Sequence, residues 1–308
     1  MRERSFNILR IGELSLQFEV MIFGGAANER QPLLILHSME YPVPPSVAFC
    51  ELMWSAGYQV IFLRRPGFGR SSPIPGALLT ADAVKSRATL MAEAAIIAAL
   101  LKTMALKDPI LLAIGSANPV SYRLVHMLPD LALTVFSNPI FNQDIWQVFE
   151  PAWFRSMLRQ IVTSRSGTRV ATKGLHHMMT QDPVGFYETI LRKNAEDLAY
   201  VAANKSDYEA AGAQSLGTTS EMLYYDVISC LHPDSMLKDD YFDGVDAVVL
   251  TGADTTDHWR AEMERETARL DLPLVLAPAG DIFCAYTSPE TVVELLHQRT
   301  KAPVRTAS

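Results

Sequence analysis

A serine beside a glycine is the first feature with chemical potential. Residues 109–119 carry an apolar run, Ile110–Leu111–Leu112–Ala113–Ile114, that breaks into Gly115–Ser116–Ala117 and passes at once into a helical pattern. That is how a buried strand turning sharply into a helix reads. A serine at such a turn can attack an ester or amide if an imidazole takes its proton and a carboxylate orients the imidazole. Ser116 with Asp254 and His258 is the arrangement that best meets this need. Asp254 follows a later apolar run, and His258 lies just beyond it. Of the other histidines, His37 follows an early apolar run. His176 and His177 are adjacent, so on a helix they point to different sides and make a poor metal pair. His126, His232 and His297 read as surface or helix positions. Cys284 lies three residues after Asp281 and reads as a buried structural thiol.

The chain that must position these groups has 308 residues, 49% of them hydrophobic and 20% charged, with a net charge of −7. This suits one globular unit, or a core with an insertion. No basic stripe appears, so nucleic acid is not an expected partner. No apolar run reaches the roughly 20 residues that span a bilayer, so a membrane is not expected either. The first residues lead into an alternating stretch instead of an apolar signal segment, and a cytoplasmic location is expected. Three widely spaced cysteines make neither a disulfide framework nor a metal motif, and neither a metal nor a cofactor is expected.

Phe6 to Phe23 alternates around Ile11–Gly12–Glu13, as an antiparallel hairpin does. Buried strands are then expected at Leu33–Leu36, Gln59–Leu63, Ile110–Ile114 and Leu131–Phe136. Helices are expected at Ser46–Ala56, Ala83–Leu106 and from the Gly115 turn to Met127. From Phe141 to about Leu237 the pattern is helical, without a strand, and dense in aromatic and Met residues such as Trp146, Phe149, Trp153, Phe154 and Met157. Alternation resumes with strands at Ala247–Leu250 and Leu272–Leu276, a helix over Asp257–Leu270 and a final helix to Arg299. Strands alternating with helices imply a parallel, doubly wound α/β sheet.

This organisation resembles the α/β-hydrolases, a mostly parallel central sheet with an inserted helical cap. The resemblance covers about residues 5–300. Four landmarks carry it: His37–Ser38, where the family has His-Gly; Pro66–Gly67–Phe68–Gly69–Arg70–Ser71–Ser72, close to the family's Gly-x-Gly-x-Ser loop; Ala113–Ile114–Gly115–Ser116–Ala117, at the nucleophile elbow; and Gly252–Ala253–Asp254 with Gly280–Asp281, where strands end that supply the acid and the histidine. The resemblance implies a core over 1–139, a cap over 140–237 and the rest of the core over 238–308. The elbow pattern Gly-x-Ser-x-Gly fits in two registers. With Ser116 as nucleophile the flanking small positions fall on Ile114 and Asn118. With Gly115 at that position they fall on Ala113 and Ala117, which fit better. The elbow residue takes a positive φ, which Gly adopts without strain.

In the second register the resemblance implies a degenerate triad: nucleophile position Gly115, vacant; acid position Thr255, with Asp254 one residue early; histidine position Asp281. A carboxylate with an ordinary pKa of about 3.9 does not shuttle protons as imidazole does near neutrality. The expected function is therefore non-hydrolytic binding of a small apolar ligand, or of a protein partner, in the cleft under the cap. His37, Ser38, Met39, Ser116, Asp281 and Cys284 would line that cleft. The alternative is an active ester hydrolase or cofactor-free lyase working from Ser116, Asp254 and His258. A third reading is an interaction protein that uses the cap's outer surface.

Overall fold

Four of the inner strands are continuous apolar runs, and burial on both faces is what such runs require. The computed structural model describes residues 2–11, 14–25, 29–39, 42–78, 87–141, 152–163, 165–191, 194–214, 220–231 and 237–300. Its eight strands are β1 (Arg2–Ile11), β2 (Leu14–Phe23), β3 (Gln31–Leu36), β4 (Tyr58–Leu63), β5 (Ile110–Ile114), β6 (Leu133–Ser137), β7 (Ala247–Gly252) and β8 (Leu274–Ala277). They form one sheet in the order β1-β2-β4-β3-β5-β6-β7-β8. β1 pairs antiparallel with β2, and β2 antiparallel with β4; every other pairing is parallel.

Alternate residues of each inner strand feed opposite layers. Leu34, Leu36, Leu111 and Ala113 enter one core with α2 (Ala88–Met104) and α3 (Asn118–Met127). Leu33, Ile35, Ile110, Leu112 and Ile114 enter the other, with α1 (Val47–Ser55). Ser46 caps α1 by accepting the Phe49 N–H, one of the orphan donors that a helix start must satisfy.

Among the described residues, six helices follow β6: α4 (Ala152–Thr163), α5 (Arg165–Gln181), α6 (Pro183–Ile190), α7 (Ala195–Ala203), α8 (Lys205–Gln214) and α9 (Ser220–Leu231). The chain then re-enters the sheet at β7, continuing through α10 (Asp257–Arg269), β8, α11 (Cys284–Thr287) and α12 (Pro289–Arg299). β8 starts at Leu274, two residues later than expected. The Leu272 N–H turns back to the Thr267 carbonyl, and Pro273 has no N–H to give the ladder. β6 likewise starts at Leu133, because the Leu131 N–H is held by Leu128. The expected beginning of the helix before Ala88, the aromatics Trp146 and Phe149, and His232 lie outside the described residues.

Parallel pairing brings the carboxyl ends of β3, β5, β6, β7 and β8 to one edge of the sheet. The register sets Leu36 beside Ala113, Ile114 beside Ser137 and Gly252 beside Ala277. The segments that leave those strands therefore meet. At Gly252 a Cβ would stand 1.8 Å from the Gly280 carbonyl oxygen, so only glycine lets the β7 and β8 loops come this close.

Candidate functional site

At the end of β5 the chain turns at Gly115, whose φ is +51°. Any other residue there is strained. A Cβ at Gly115 would also stand 2.9 Å from the Ser38 Oγ and 3.1 Å from the Ser38 Cβ. The space above the turn is thus taken by the Ser38 side chain, from the segment after β3.

Two hydroxyls hold the two backbone N–H groups that face this space. Ser116 Oγ accepts the Met39 N–H at 2.7 Å. Ser38 Oγ accepts the Ser116 N–H at 3.2 Å and donates to Ser116 Oγ at 3.2 Å. Ser116 Oγ in turn donates to Asp226 Oδ2 at 3.2 Å.

Asp226 comes from cap helix α9 and is gripped by Arg65, which follows β4. The guanidinium meets it two-pronged, Nη1 to Oδ2 and Nη2 to Oδ1, both at 2.7 Å. Nε of the same arginine donates to Glu93 of α2 at 2.9 Å. All three side chains are buried. Burial alone would lower the Arg65 pKa, but Asp226 and Glu93 hold it above its usual value. A carboxylate clamped in this way is a poor base toward Ser116.

His37 is buried, packed against Phe62 and Phe68. Its Nδ1 faces the Ser38 carbonyl at 2.8 Å, and its Nε2 accepts the Arg65 N–H at 3.0 Å. An Nε2 that accepts a backbone N–H carries no proton, so His37 is the neutral Nδ1–H tautomer. Burial, and then the nearby charges of Arg65 and Arg64, push its pKa well below 6.5.

A second polar knot ties the ends of β6, β7 and β8. Asp281 Oδ1 accepts from Asn138 Nδ2 at 2.9 Å and from Thr255 Oγ1 at 2.8 Å. Thr251 Oγ1 donates to Asn138 Oδ1 at 3.0 Å. Burial raises the Asp281 pKa, and the bonds from Asn138 and Thr255 oppose the rise. Behind it, Asp197 of α7 takes the N–H groups of Asp281, Ile282 and Phe283 at 3.1–3.4 Å. Burial lifts Asp197 to about 7. Cys284 sits against Ser137 Oγ at 3.4 Å, and burial pushes its thiol up to about 12. It is a packed thiol and a poor nucleophile.

No known family's sequence profile matches the chain, and no curated protein is similar to it in sequence. Solved structures are similar in shape. A bromoperoxidase from Bacillus anthracis is 14% identical at a TM-score of 0.60, with 96% of this chain and 99% of that one covered. The Cif epoxide hydrolase from Acinetobacter nosocomialis is 14% identical at 0.62, with 96% and 88% covered. An α/β-hydrolase enzyme, MGS-M2, from a Medee basin deep-sea metagenome library is 13% identical at 0.61, with 97% and 100% covered. The chain has the α/β-hydrolase fold. At these identities the likeness speaks for the fold alone.

In the α/β-hydrolase fold the nucleophile stands at the turn after the β5-type strand. Its oxyanion hole is the N–H of the next residue plus an N–H from the loop after β3. In this chain Gly115 makes the turn after β5, and the Ser116 and Met39 N–H groups lie at it. Both donors are bonded to the chain's own hydroxyls, as described above. Thr255 and Asp281, from the loops after β7 and β8, touch, with the hydroxyl donating to the carboxylate.

Ser116, Asp254 and His258 are not brought together. Ser116 Oγ contacts Met39, Ser38, Arg65 and Asp226, Asp254 Oδ2 accepts the Gly280 N–H at 2.7 Å, and His258 is exposed in the first turn of α10. A hollow lined by Leu101, Lys102, Pro109, Leu128, Asp130 and Leu131 lies at the opposite, amino end of β5. Arg65, Glu93, Asp226 and Asp197 escaped the sequence reading. A signal for two of them existed: Glu93 is the one charged residue between Ala88 and Leu101, and Arg64–Arg65 directly ends a buried strand. Ionisable groups in such apolar settings need buried partners.

Proposed function

We propose that this is a non-hydrolytic member of the α/β-hydrolase fold, with Gly115 at the nucleophile position and Asp281 at the histidine position. It binds a small apolar molecule, or failing that a protein partner, between cap and core. The observation that carries the reading is the filled oxyanion hole. Each donor aimed at a developing oxyanion contributes about 10²–10³ in turnover, and here both the Met39 and Ser116 N–H groups are spent on Ser116 Oγ and Ser38 Oγ. The binding half of the reading rests on position: in such a fold ligands bind at the carboxyl ends of the strands, and here that edge meets the cap through the apolar group Met39, Phe68 and Val227.

Hydrolysis of short-chain p-nitrophenyl esters by the wild type and by Ser116→Ala tests the first half. Neither should exceed background. Wild-type turnover that vanishes in Ser116→Ala would overturn the proposal in favour of Ser116 as nucleophile. For the second half, mass spectrometry of the denatured protein should find an apolar compound released in proportion to the chain. Its absence would shift the reading to a protein partner.

A further inference from the structure

Charge is distributed unevenly along the cap. Between residues 152 and 181 the chain carries Arg155, Arg159, Arg165, Arg169 and Lys173, and no Asp or Glu. This +5 segment belongs to a chain of net charge −7, so the rest amounts to −12. The segment is the helix pair α4–α5, whose two members pack on each other. α9 also packs on α5.

Trp153, Phe154, Met157, Leu158 and Ile161 recur along α4 at the spacing of one helical face. Such a stripe ordinarily packs into a core. Here it is only partly covered: Phe154 and Leu158 are half-buried, and among the described residues none of the five belongs to either core layer. Trp153 is 69% exposed, Met157 43% and Ile161 37%; on α5, Val170 is 70% and Met178 53% exposed. Half of the large exposed apolar side chains among the described residues stand on this one pair of helices.

We propose that α4–α5 seats the protein on an anionic lipid surface, lying in the headgroup region with Trp153, Met157 and Ile161 immersed. A surface helix of this kind combines an apolar face with cations and needs no membrane-crossing length. No helix among the described residues is long and apolar enough to cross, and this mode does not ask for one. Each cation near an anionic leaflet adds about 1 kcal/mol, roughly a fivefold gain in partitioning. Nucleic acid would meet the charge and leave the exposed Trp, Met, Ile and Val unsatisfied. A second copy related by a two-fold axis would set one +5 hairpin against another.

Co-sedimentation of the full chain with phosphatidylcholine vesicles, with and without phosphatidylserine, is the test. Binding is expected only to the phosphatidylserine vesicles, weakening as salt rises. It should drop severalfold in Trp153→Ser and in the double variant Arg169→Glu/Lys173→Glu. Circular dichroism of both variants checks that they fold. Three results would overturn the proposal: no binding to either vesicle, equal binding to both, or binding that neither variant changes. A dimer in sedimentation equilibrium that Trp153→Ser dissociates, without vesicle binding, would assign the face to a second copy instead.

Discussion

In the proposed reading, Ser38 and Gly115 stand opposite to the α/β-hydrolase pattern, in which a glycine follows the histidine and a serine sits at the elbow. The two departures explain each other, since the Ser38 side chain lies within 3.1 Å of where a Cβ at Gly115 would be. Gly115→Ser alone therefore meets both a crowded neighbour and a positive φ. It should cost about 1–3 kcal/mol, read as a lowered melting temperature, and Ser38→Gly should recover part of the loss. The same geometry bears on any attempt to install hydrolysis. The double variant Gly115→Ser/Asp281→His is expected to stay at background on p-nitrophenyl esters, because both oxyanion donors remain covered. Adding Ser38→Gly and Ser116→Ala uncovers them, and weak turnover is then expected. Turnover in the double variant alone would show that the hydroxyls do not block the hole.

At the scale of elements, cap and core are joined by two buried carboxylates of different character. Asp226 of α9 is clamped by Arg65. Removing the arginine, as in Arg65→Met, leaves Glu93 and Asp226 buried without their cation and should cost about 3–5 kcal/mol. Thermal melting checks this, with Asp226→Asn expected to lose less. Asp197 of α7 is held by backbone N–H groups alone. Its folded pKa, about 7, lies above its unfolded value. Protonation therefore favours the folded state, and the stability it contributes is full below about pH 4 and lost as pH rises through about 7. His37, held neutral by burial, works in the opposite sense, so the test is a comparison: the melting temperature of the wild type relative to Asp197→Asn should fall as pH rises from 5 to 8. These two contacts were the least legible part of the sequence. Pairings such as Arg65–Asp226 span 161 positions, and no local periodicity reports them. The landmarks on the strand ends were legible because β3 to β7 are apolar runs cut by glycine, proline and polar residues. The directions of the side chains there were not, and His37 shows the difference: its place after β3 was readable, whereas its burial between two phenylalanines was not.

For the whole molecule, the eight-stranded sheet and its helical insertion followed from composition and alternation, since a doubly wound core must repeat buried strand and amphipathic helix. What fills the edge of that sheet depends on packing between cap and core. All three cysteines are buried. Native protein should therefore leave Ellman's reagent unreacted near pH 8, while denatured protein titrates three thiols. Partial reaction under native conditions would reveal local opening at Cys50, Cys230 or Cys284.

The paired hydroxyls over the Met39 and Ser116 amides also bear on how the chain tolerates change. Losing either one strands a buried N–H and destabilises the chain by about 1–3 kcal/mol. A substitution at Ser38 or Ser116 is therefore felt first as a loss of folded protein, whatever it does in the cleft.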